Sequence, residues 1–239
     1  MLITTKAIVL SKLKFKDYDL IVKCYTEQLG VVSFILKGVL KSKKGHAKVA
    51  YFQALSQLQL ILQYKEIRSL QTLKETKLTS VYSSLHTNVK KSAIAMFIAE
   101  VLSNTLKEEE QNKTLYSYIE TTLLWLDVQS KYSNFHLLFL INLTKYLGFY
   151  PDTTSNNKTF FNLKEGRFED KKNSDYNISE ENLILLKQLL GITFDDLSSV
   201  KINSSQRQSF LNMILLYFEL HLGSFNRPKS LQIFNQVFN

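Results

Sequence analysis

The stretch Gln57-Leu58-Gln59-Leu60-Ile61-Leu62-Gln63-Tyr64 shows the clearest two-residue alternation in the chain. Its leucines and its tyrosine share one set of alternate positions, and glutamines fill most of the other set. This pattern is typical of a β-strand with one face in a core and the other in water. Four more strands are predicted before and after it, over Thr4–Phe15, Leu20–Thr26, Val31–Leu36 and Ile67–Thr76. Five short antiparallel strands in so few residues favour a small closed barrel.

The first predicted strand carries lysines along one face. The period-2 pattern puts Ala7, Val9, Leu13 and Phe15 on the core face and Lys6, Lys12 and Lys14 on the opposite face. Ile8 and Leu10 share the lysine face. We therefore expect another part of the molecule to cover at least some of this face.

A lysine-rich stretch, KGVLKSKKGHAK at Lys37–Lys48, follows the third predicted strand. It contains no acid, and Gly38 and Gly45 allow the backbone to bend. Lysines in such a loop suit a polyanion, because each lysine that meets a phosphate releases a condensed counterion. A solvated loop without a ligand is the alternative. The lysines of the stretch are Lys37, Lys41, Lys43, Lys44 and Lys48.

The distribution of charge supports the polyanion interpretation. The formal net charge is +9, and residues 1–80 hold 14 Lys and Arg against 5 Asp and Glu. The other residues hold 16 of each kind, so the whole excess belongs to the predicted barrel. This asymmetry indicates a nucleic-acid or anionic-surface module joined to a neutral domain. A membrane surface is disfavoured because the first third has no basic amphipathic helix.

Three aromatic residues lie near these lysines in the sequence: Tyr18, Tyr25 and Phe34. Barrels that bind single strands stack bases on a few aromatic side chains. Aromatic residues in small barrels also fill the interior, and we expect this for Tyr25 and Phe34. Tyr18 is the best candidate for stacking because it lies in a polar turn.

From Ser80 onward the hydrophobic period becomes helical. Helices are predicted over Val89–Leu106 with Thr87 as N-cap, Lys113–Val128, Asn134–Leu147, Ser179–Leu190, Ser204–Leu222 and Ser230–Phe238. The helix Asn134–Leu147 is apolar almost all round, so we expect it at the centre of the bundle. The polar residues 152–178 predict an inserted hairpin with its turn at Gly166. The predicted fold class is α+β: a five-stranded OB-fold barrel over residues 1–79, then an all-helical domain over residues 80–239.

Catalytic and metal-binding signatures are missing from the sequence. It contains no Gly-rich phosphate loop, no GxSxG elbow and no HExxH motif. Cys24 is the only cysteine and the four histidines are scattered, so we predict neither a metal nor another cofactor. His221, within a predicted helix, is expected to be a packing residue. With no signal peptide and no run of spanning length, we predict a cytoplasmic protein that is not an enzyme.

Three stretches together resemble RecO, a family of bacterial recombination mediators. Lys16–Lys44 is similar to the family's acid-bearing turn, hairpin and basic segment, and KYLGFYPD at Lys145–Asp152 is similar to its "LGY-x-P" helix end. Arg207–Leu231 is similar to its closing helices. The resemblance implies an OB-fold with a helical domain. It also implies binding and annealing of single- and double-stranded DNA, partnership with RecR, and contact with the acidic C-terminal tail of single-strand DNA-binding protein (SSB).

One segment departs from the family pattern. Many RecO proteins carry a four-cysteine zinc site in the insert after the "LGY-x-P" stretch, whereas residues 151–178 contain no cysteine. We expect an apolar cluster of Phe160, Phe161 and Phe168 in place of the zinc. The resemblance places the tail site in the helical domain without naming its residues.

The sequence therefore predicts a non-catalytic mediator that helps to load recombinase onto SSB-coated single strands. Two alternatives are an adaptor whose basic barrel binds an acidic protein, and an RNA-binding OB module. DNA binding by residues 1–80 that falls with salt would distinguish the mediator from the adaptor, and preference for RNA would indicate the third class. The predicted DNA-binding residues are Lys37, Lys41, Lys43, Lys44 and Lys48, with Lys12, Lys14, Lys16 and Tyr18 near the end of the first strand.

Overall fold

The computed structural model describes residues 1–41, 45, 48–106 and 111–238. The chain divides into two compact units. The first contains Met1–Val128 together with Pro228–Val237, and the second contains Gln129–Arg227. The first unit therefore combines the five N-terminal strands with the first two long helices and most of the C-terminal helix.

Five strands close into a barrel in the order β1-β2-β3-β5-β4. This confirms the predicted fold class. One pairing differs from the prediction, because β3 and β5 run parallel, with Ser33 opposite Leu70 and Ile35 opposite Thr72. Ile67, predicted to open the fifth strand, is fully exposed and precedes it. The strands are β1 (Leu2–Phe15), β2 (Asp19–Thr26), β3 (Gly30–Leu36), β4 (Gln57–Gln63) and β5 (Leu70–Leu78).

Alternation along β4 places its leucines in the barrel core. Leu58, Leu60 and Leu62 are fully buried, and Gln59 between them is exposed. Gln57 is the exception to the expected solvent-facing glutamines, since it is buried and its Nε2 donates to the carbonyl of Glu120 at 3.0 Å. A buried amide needs such a partner, so this bond helps attach the later helix to the barrel.

A β-bulge in β1 changes which residues face the core. Val9 lies opposite Cys24 but Ser11 lies opposite Lys23, so Leu10 is an extra residue in the ladder. An inserted residue reverses the alternation beyond it, because side chains of a strand change face at every residue. The predicted continuous faces of β1 were therefore wrong: Leu13, expected in the core, is 66% exposed.

Helices cover the outer side of β1, as expected from Ile8 and Leu10, which are both buried. The first unit holds α1 (Val89–Thr105) and α2 (Lys113–Val128). The N-cap of α1 is Asn88 and not the predicted Thr87, because Asn88 Oδ1 accepts from the backbone amides of Lys90 and Lys91. A later helix in the chain, running from Leu231 to Phe238, also belongs mostly to this unit.

The connection from β5 to α1 is held by Asp127, near the end of α2. The carboxylate of Asp127 accepts from the backbone amides of Ser83, Ser84 and Leu85 at 2.8, 2.8 and 2.7 Å. The buried Lys91 donates from Nζ to the Asp127 carbonyl and to Ser84 Oγ, both at 2.7 Å. Burial opposes ionisation of Asp127, but the bonds from the three amides and from the Ser83 hydroxyl lower its pKa to about 2.

The second unit is built around α3 (Phe135–Leu147). Residues 135–140 are all completely buried, which confirms the predicted central position of this helix. It ends at Gly148, whose φ of 84° favours glycine. His136 on α3 is neutral at physiological pH, because burial and the charge of Arg207 lower its pKa to about 3. The later elements are α4 (Glu180–Leu189), a 3₁₀ turn (Asp195–Ser199), α5 (Ser204–His221) and, mostly in the first unit, α6 (Leu231–Phe238).

The insert between α3 and α4 forms a small three-stranded sheet in the order β7-β6-β8. The predicted hairpin turn is present at Gly166, which has a φ of 67°. Phe161 and Phe168 are buried, with ring centroids 4.9 Å apart, whereas Phe160 is only half-buried on the other face of its strand. The strands are β6 (Phe160–Asn162), β7 (Arg167–Glu169) and β8 (Asn177–Ile178).

Candidate nucleic-acid interface

The start of the lysine-rich stretch is tied to the turn between β1 and β2. Asp19 Oδ1 accepts from the amide of Gly38 at 2.7 Å, and the amide of Leu40 donates to the carbonyl of Tyr18 at 3.0 Å. Gly38 has a φ of 64°, and its carbonyl accepts from the amide of Lys41. A residue with a Cβ rarely adopts this backbone conformation, so glycine allows the tight turn. These bonds bring two predicted DNA-binding segments together.

Tyr18 and Lys41 meet on the surface of this junction. The ring of Tyr18 is 48% exposed, and Lys41 Nζ lies 5.3 Å from its centroid. This distance is within the range of a cation–π contact. A base that stacked on Tyr18 would therefore have a cation next to it for the neighbouring phosphate. Lys16, in the same turn, is exposed with its Nζ 5.4 Å from the ring of Phe15.

Lys37 and Lys48 border one groove at the edge of the barrel. The groove has a volume of about 470 Å³, and its other lining residues include Leu36, Val39 and Thr72. It contains no acidic residue among those that line it. Both lysines are exposed, so their ammonium groups can reach a ligand that lies along the groove.

Lys12 and Lys14 stand on the β1–β2 ladder beyond the bulge. Lys12 lies opposite Val22, and Lys14 lies opposite Leu20. Residues that face each other across an antiparallel ladder share a side of the sheet. Lys12 and Lys14 are exposed all the same. The reason is that β4 pairs with β1 only as far as Ile8, so β4 does not extend beside this part of the β1–β2 ladder. The predicted grouping of Lys6 with these two lysines was wrong, since the bulge lies between them.

Lys43 and Lys44 are predicted DNA-binding residues that lie outside the described part of the chain.

The three aromatic side chains considered for stacking differ in their exposure. Tyr25 and Phe34 are buried in the barrel unit, and Tyr25 Oη donates to the carbonyl of Asn112 at 3.0 Å. Both are core residues, as expected, and Tyr18 is the exposed one of the three.

Two other lysines of the barrel are engaged in holding its helices. Lys6 Nζ lies 3.0 Å from Glu120 Oε1, and Lys23 Nζ donates to the carbonyl of Ser103 at 3.1 Å. Within the described ranges, no ion pair involves a predicted DNA-binding lysine. In the described part of the chain, the charge of the predicted lysines at the end of β1 and beside the loop is therefore not offset by an ion pair. This division could not be read from the sequence, because the helical partners lie far along the chain.

Sequence reasoning also missed a cluster in the second unit. Arg207 Nε donates to Asn134 Oδ1 at 3.0 Å, and Asn134 Nδ2 donates to the carbonyl of Val200 at 2.9 Å. The cluster therefore joins the starts of α3 and α5 to the segment between them. Arg207 was part of the family resemblance, but nothing in the sequence indicated its partners.

Two family profiles cover nearly the whole chain. "Recombination protein O N terminal" matches residues 1–82, and "Recombination protein O C terminal" matches residues 86–232. Proteins named DNA repair protein RecO are similar over the full length of both chains. The one from Christiangramia forsetii is 48% identical, and those from Flavobacterium johnsoniae and Flavobacterium psychrophilum are 41% and 38% identical.

The chain belongs to the RecO family. The suspected resemblance is thereby confirmed, and with it a relation to DNA repair. Among the described residues, no helix is long and apolar enough to cross a membrane.

Aromatic side chains cluster at the insert, where an apolar cluster was expected in place of a zinc site. Phe149 stacks on His221 with centroids 5.1 Å apart, and the ring of Tyr217 lies 6.0 Å from Phe161. His221 Nε2 is 2.9 Å from the carbonyl of Leu163, so His221 has a packing role. Across the described ranges, no three His, Cys, Asp or Glu side chains are grouped so that they could hold a metal. The residues of the insert do not fit a four-cysteine zinc.

Proposed function

We propose that this RecO protein is a non-catalytic mediator that binds DNA through the cationic end of its barrel. One observation carries the proposal. The start of the lysine-rich stretch is fastened to the β1–β2 turn by backbone groups and Asp19, and Lys37 and Lys41 are exposed there. The lysines and Tyr18 then form one cationic surface with an aromatic face.

Such a surface contacts the backbone of DNA and not the base edges. Lysine neutralises phosphate as a point charge, and stacking on an aromatic ring accepts any base. Specific readout would need side chains placed to pair with base edges in a groove. The surface therefore supports binding of single- and double-stranded DNA without strong sequence preference.

Annealing follows from the same charges. Two complementary strands repel each other through their phosphates, and lysines that neutralise both strands lower this repulsion. Membership of RecO supports the wider role as well: loading of recombinase onto single strands coated by SSB, together with RecR and through the acidic SSB tail. From this role we infer a cytoplasmic location.

The test is fluorescence anisotropy of the full chain with a labelled single strand at several salt concentrations. The variant K37Q/K41Q removes two charges from the proposed surface. The control K65Q/K113Q removes two exposed lysines elsewhere in the same unit: Lys65 follows β4 at the opposite end of β1, and Lys113 begins α2. Each lost phosphate contact lowers the slope of log K against log salt by about 0.7 on single strands, so we expect a decrease of about 1.4 for the first variant.

The control variant should keep a slope close to that of the unchanged chain. Equal slopes for both variants would refute the assignment of the surface. No binding by the unchanged chain at low salt would favour an adaptor with an acidic protein partner. Tighter binding of RNA than of DNA of the same sequence would favour an RNA-binding module.

A further inference from the structure

A cavity in the second unit gathers positive side chains from two distant parts of the chain. It has a volume of about 570 Å³ and is lined by Lys131, before α3, and by Lys201 and Arg207, at the start of α5. No Asp or Glu is among its lining residues. The part of the chain after residue 80 has balanced charge overall, so three cations without an acid form a local concentration.

The acids closest in sequence to Leu197 do not line this cavity. Asp195 and Asp196 begin the 3₁₀ turn but are absent from the lining. Asp196 Oδ2 accepts from Thr193 Oγ1 at 2.6 Å. This bond orients the Asp196 carboxylate toward its own turn.

Arg207 is held in place before any ligand arrives. Its Nε donates to Asn134 Oδ1 at 3.0 Å, and its Nη2 donates to the carbonyl of Ile202 at 3.4 Å. Both acceptors are neutral, so the positive charge of the guanidinium is not cancelled. An oriented guanidinium suits a phosphate, because its donors match the geometry of phosphate oxygens.

The rest of the lining supplies further hydrogen-bond donors. Ser130, Ser133 and Ser198 also line the cavity, and serine hydroxyls are able to donate hydrogen bonds. The helix end itself is already capped, since Asn203 Oδ1 accepts from the amide of Gln206 and Gln206 Oε1 accepts from the amide of Asn203. The attraction for an anion therefore comes from side chains and not from the end of α5.

We propose that this cavity binds the phosphate backbone of a nucleic-acid strand, as a second contact independent of the barrel surface. Three cations and no Asp or Glu line the cavity, which suits an anionic ligand. The volume exceeds that of one phosphate group and admits the adjoining sugar.

The test compares two double variants of the full chain that remove the same charge from the second unit. K131Q/K201Q changes two exposed lysines of the cavity and leaves the structural Arg207 unchanged. K164Q/K172Q changes two exposed lysines outside it. Anisotropy with a labelled single strand is measured between ~50 mM and ~200 mM salt. Two lost contacts lower the salt slope by about 1.4, so the affinity ratio across this range should fall about sevenfold for the cavity variant.

Three results would overturn the proposal. The first is that the cavity and control variants show the same salt slope, and the second is that the cavity variant has the slope of the unchanged chain. The third is that the cavity variant binds DNA as before but no longer binds a labelled oligo-aspartate peptide. The last result would assign the cavity to an acidic protein. The variant K37Q/K41Q in the same series separates the two proposals, because failure of the barrel surface leaves the effect of K131Q/K201Q intact.

Discussion

Replacing Asp127 by asparagine tests whether the connection from β5 to α1 depends on one buried carboxylate. The carboxylate accepts three backbone amides at 2.7–2.8 Å and the hydroxyl of Ser83 at 2.9 Å. An asparagine has a single acceptor oxygen, and its NH₂ group would face donors. The change therefore leaves amide donors without an acceptor while altering the size of the side chain very little.

The expected loss of stability follows from two separate estimates. Hydrogen bonds to a charged group contribute about 1.5–3 kcal/mol each, and at least one is lost. The pKa of Asp127 is lowered from 3.8 to about 2, and this shift corresponds to roughly 2 kcal/mol of stabilisation. Both estimates indicate that Asp127→Asn lowers the free energy of unfolding of this unit by about 1.5–3 kcal/mol.

The pH dependence has a definite sign. The pKa of Asp127 is lower in the folded than in the unfolded protein, so the unfolded state takes up the proton first as the pH falls. The stabilisation is complete above the unfolded value of 3.8 and disappears as the pH falls through about 2. The difference in stability between the unchanged chain and the variant should therefore be largest above that range and shrink within it.

Urea unfolding followed by tryptophan fluorescence measures this difference directly. Trp125 is the only tryptophan, and it lies on α2 two residues before Asp127. The control Glu66→Gln makes the same chemical change at an exposed turn and should alter stability by less than about 0.5 kcal/mol. A loss below about 0.5 kcal/mol for Asp127→Asn, or a loss that does not change with pH, would refute the reasoning.

Two further substitutions test the insert and the proposed stacking residue. Gly166→Ala should lower the free energy of unfolding by about 1–3 kcal/mol, because a Cβ would lie 2.9 Å from Tyr217 Oη and the φ is 67°; urea unfolding followed by circular dichroism would measure it. Gly191→Ala has an equally unfavourable φ but open space around it, so a loss as large as that of Gly166→Ala would contradict a steric role for Tyr217. Tyr18→Ala should weaken single-strand binding by about 1–3 kcal/mol in anisotropy, whereas Tyr18→Phe should retain it. Equal weakening by both variants would show that the ring does not stack, whatever its contact with Lys41.

The barrel could be predicted because its strands alternate, but the β1 bulge could not. Leu10 and Leu13 are both apolar, and neither Gly nor Pro marks the inserted residue. A period-2 pattern continued through the strand then gave the wrong face to every residue beyond Val9. The bulge becomes visible only when β2 supplies the register, with Ser11 opposite Lys23.

The pairing of β3 with β5, which closes the barrel, also could not be predicted from the sequence of a single strand. β5 pairs in parallel with β3 and antiparallel with β4, and local pattern does not determine which neighbour a strand meets. The cavity cluster in the second unit shows the same difficulty for a site. Lys131 and Arg207 are far apart in the sequence and form no motif, so only the packing of α3 and α5 brings them together.

The lysines of the barrel serve two purposes, and the bulge separates them. Lys6, before the bulge, forms an ion pair with Glu120. Lys23, on the neighbouring strand, donates to the carbonyl of Ser103. Both contacts attach helices to the barrel. Beyond the bulge, Lys12 and Lys14 change face and extend past the end of β4, where no helix partner neutralises them among the described residues. The same excess of charge thus stabilises one side of the barrel and is left available for a polyanion at its end. If β1 alternated regularly through Leu10, Lys12 and Lys14 would share the face of Lys6, so the extra residue matters as much to the proposed DNA surface as the number of lysines.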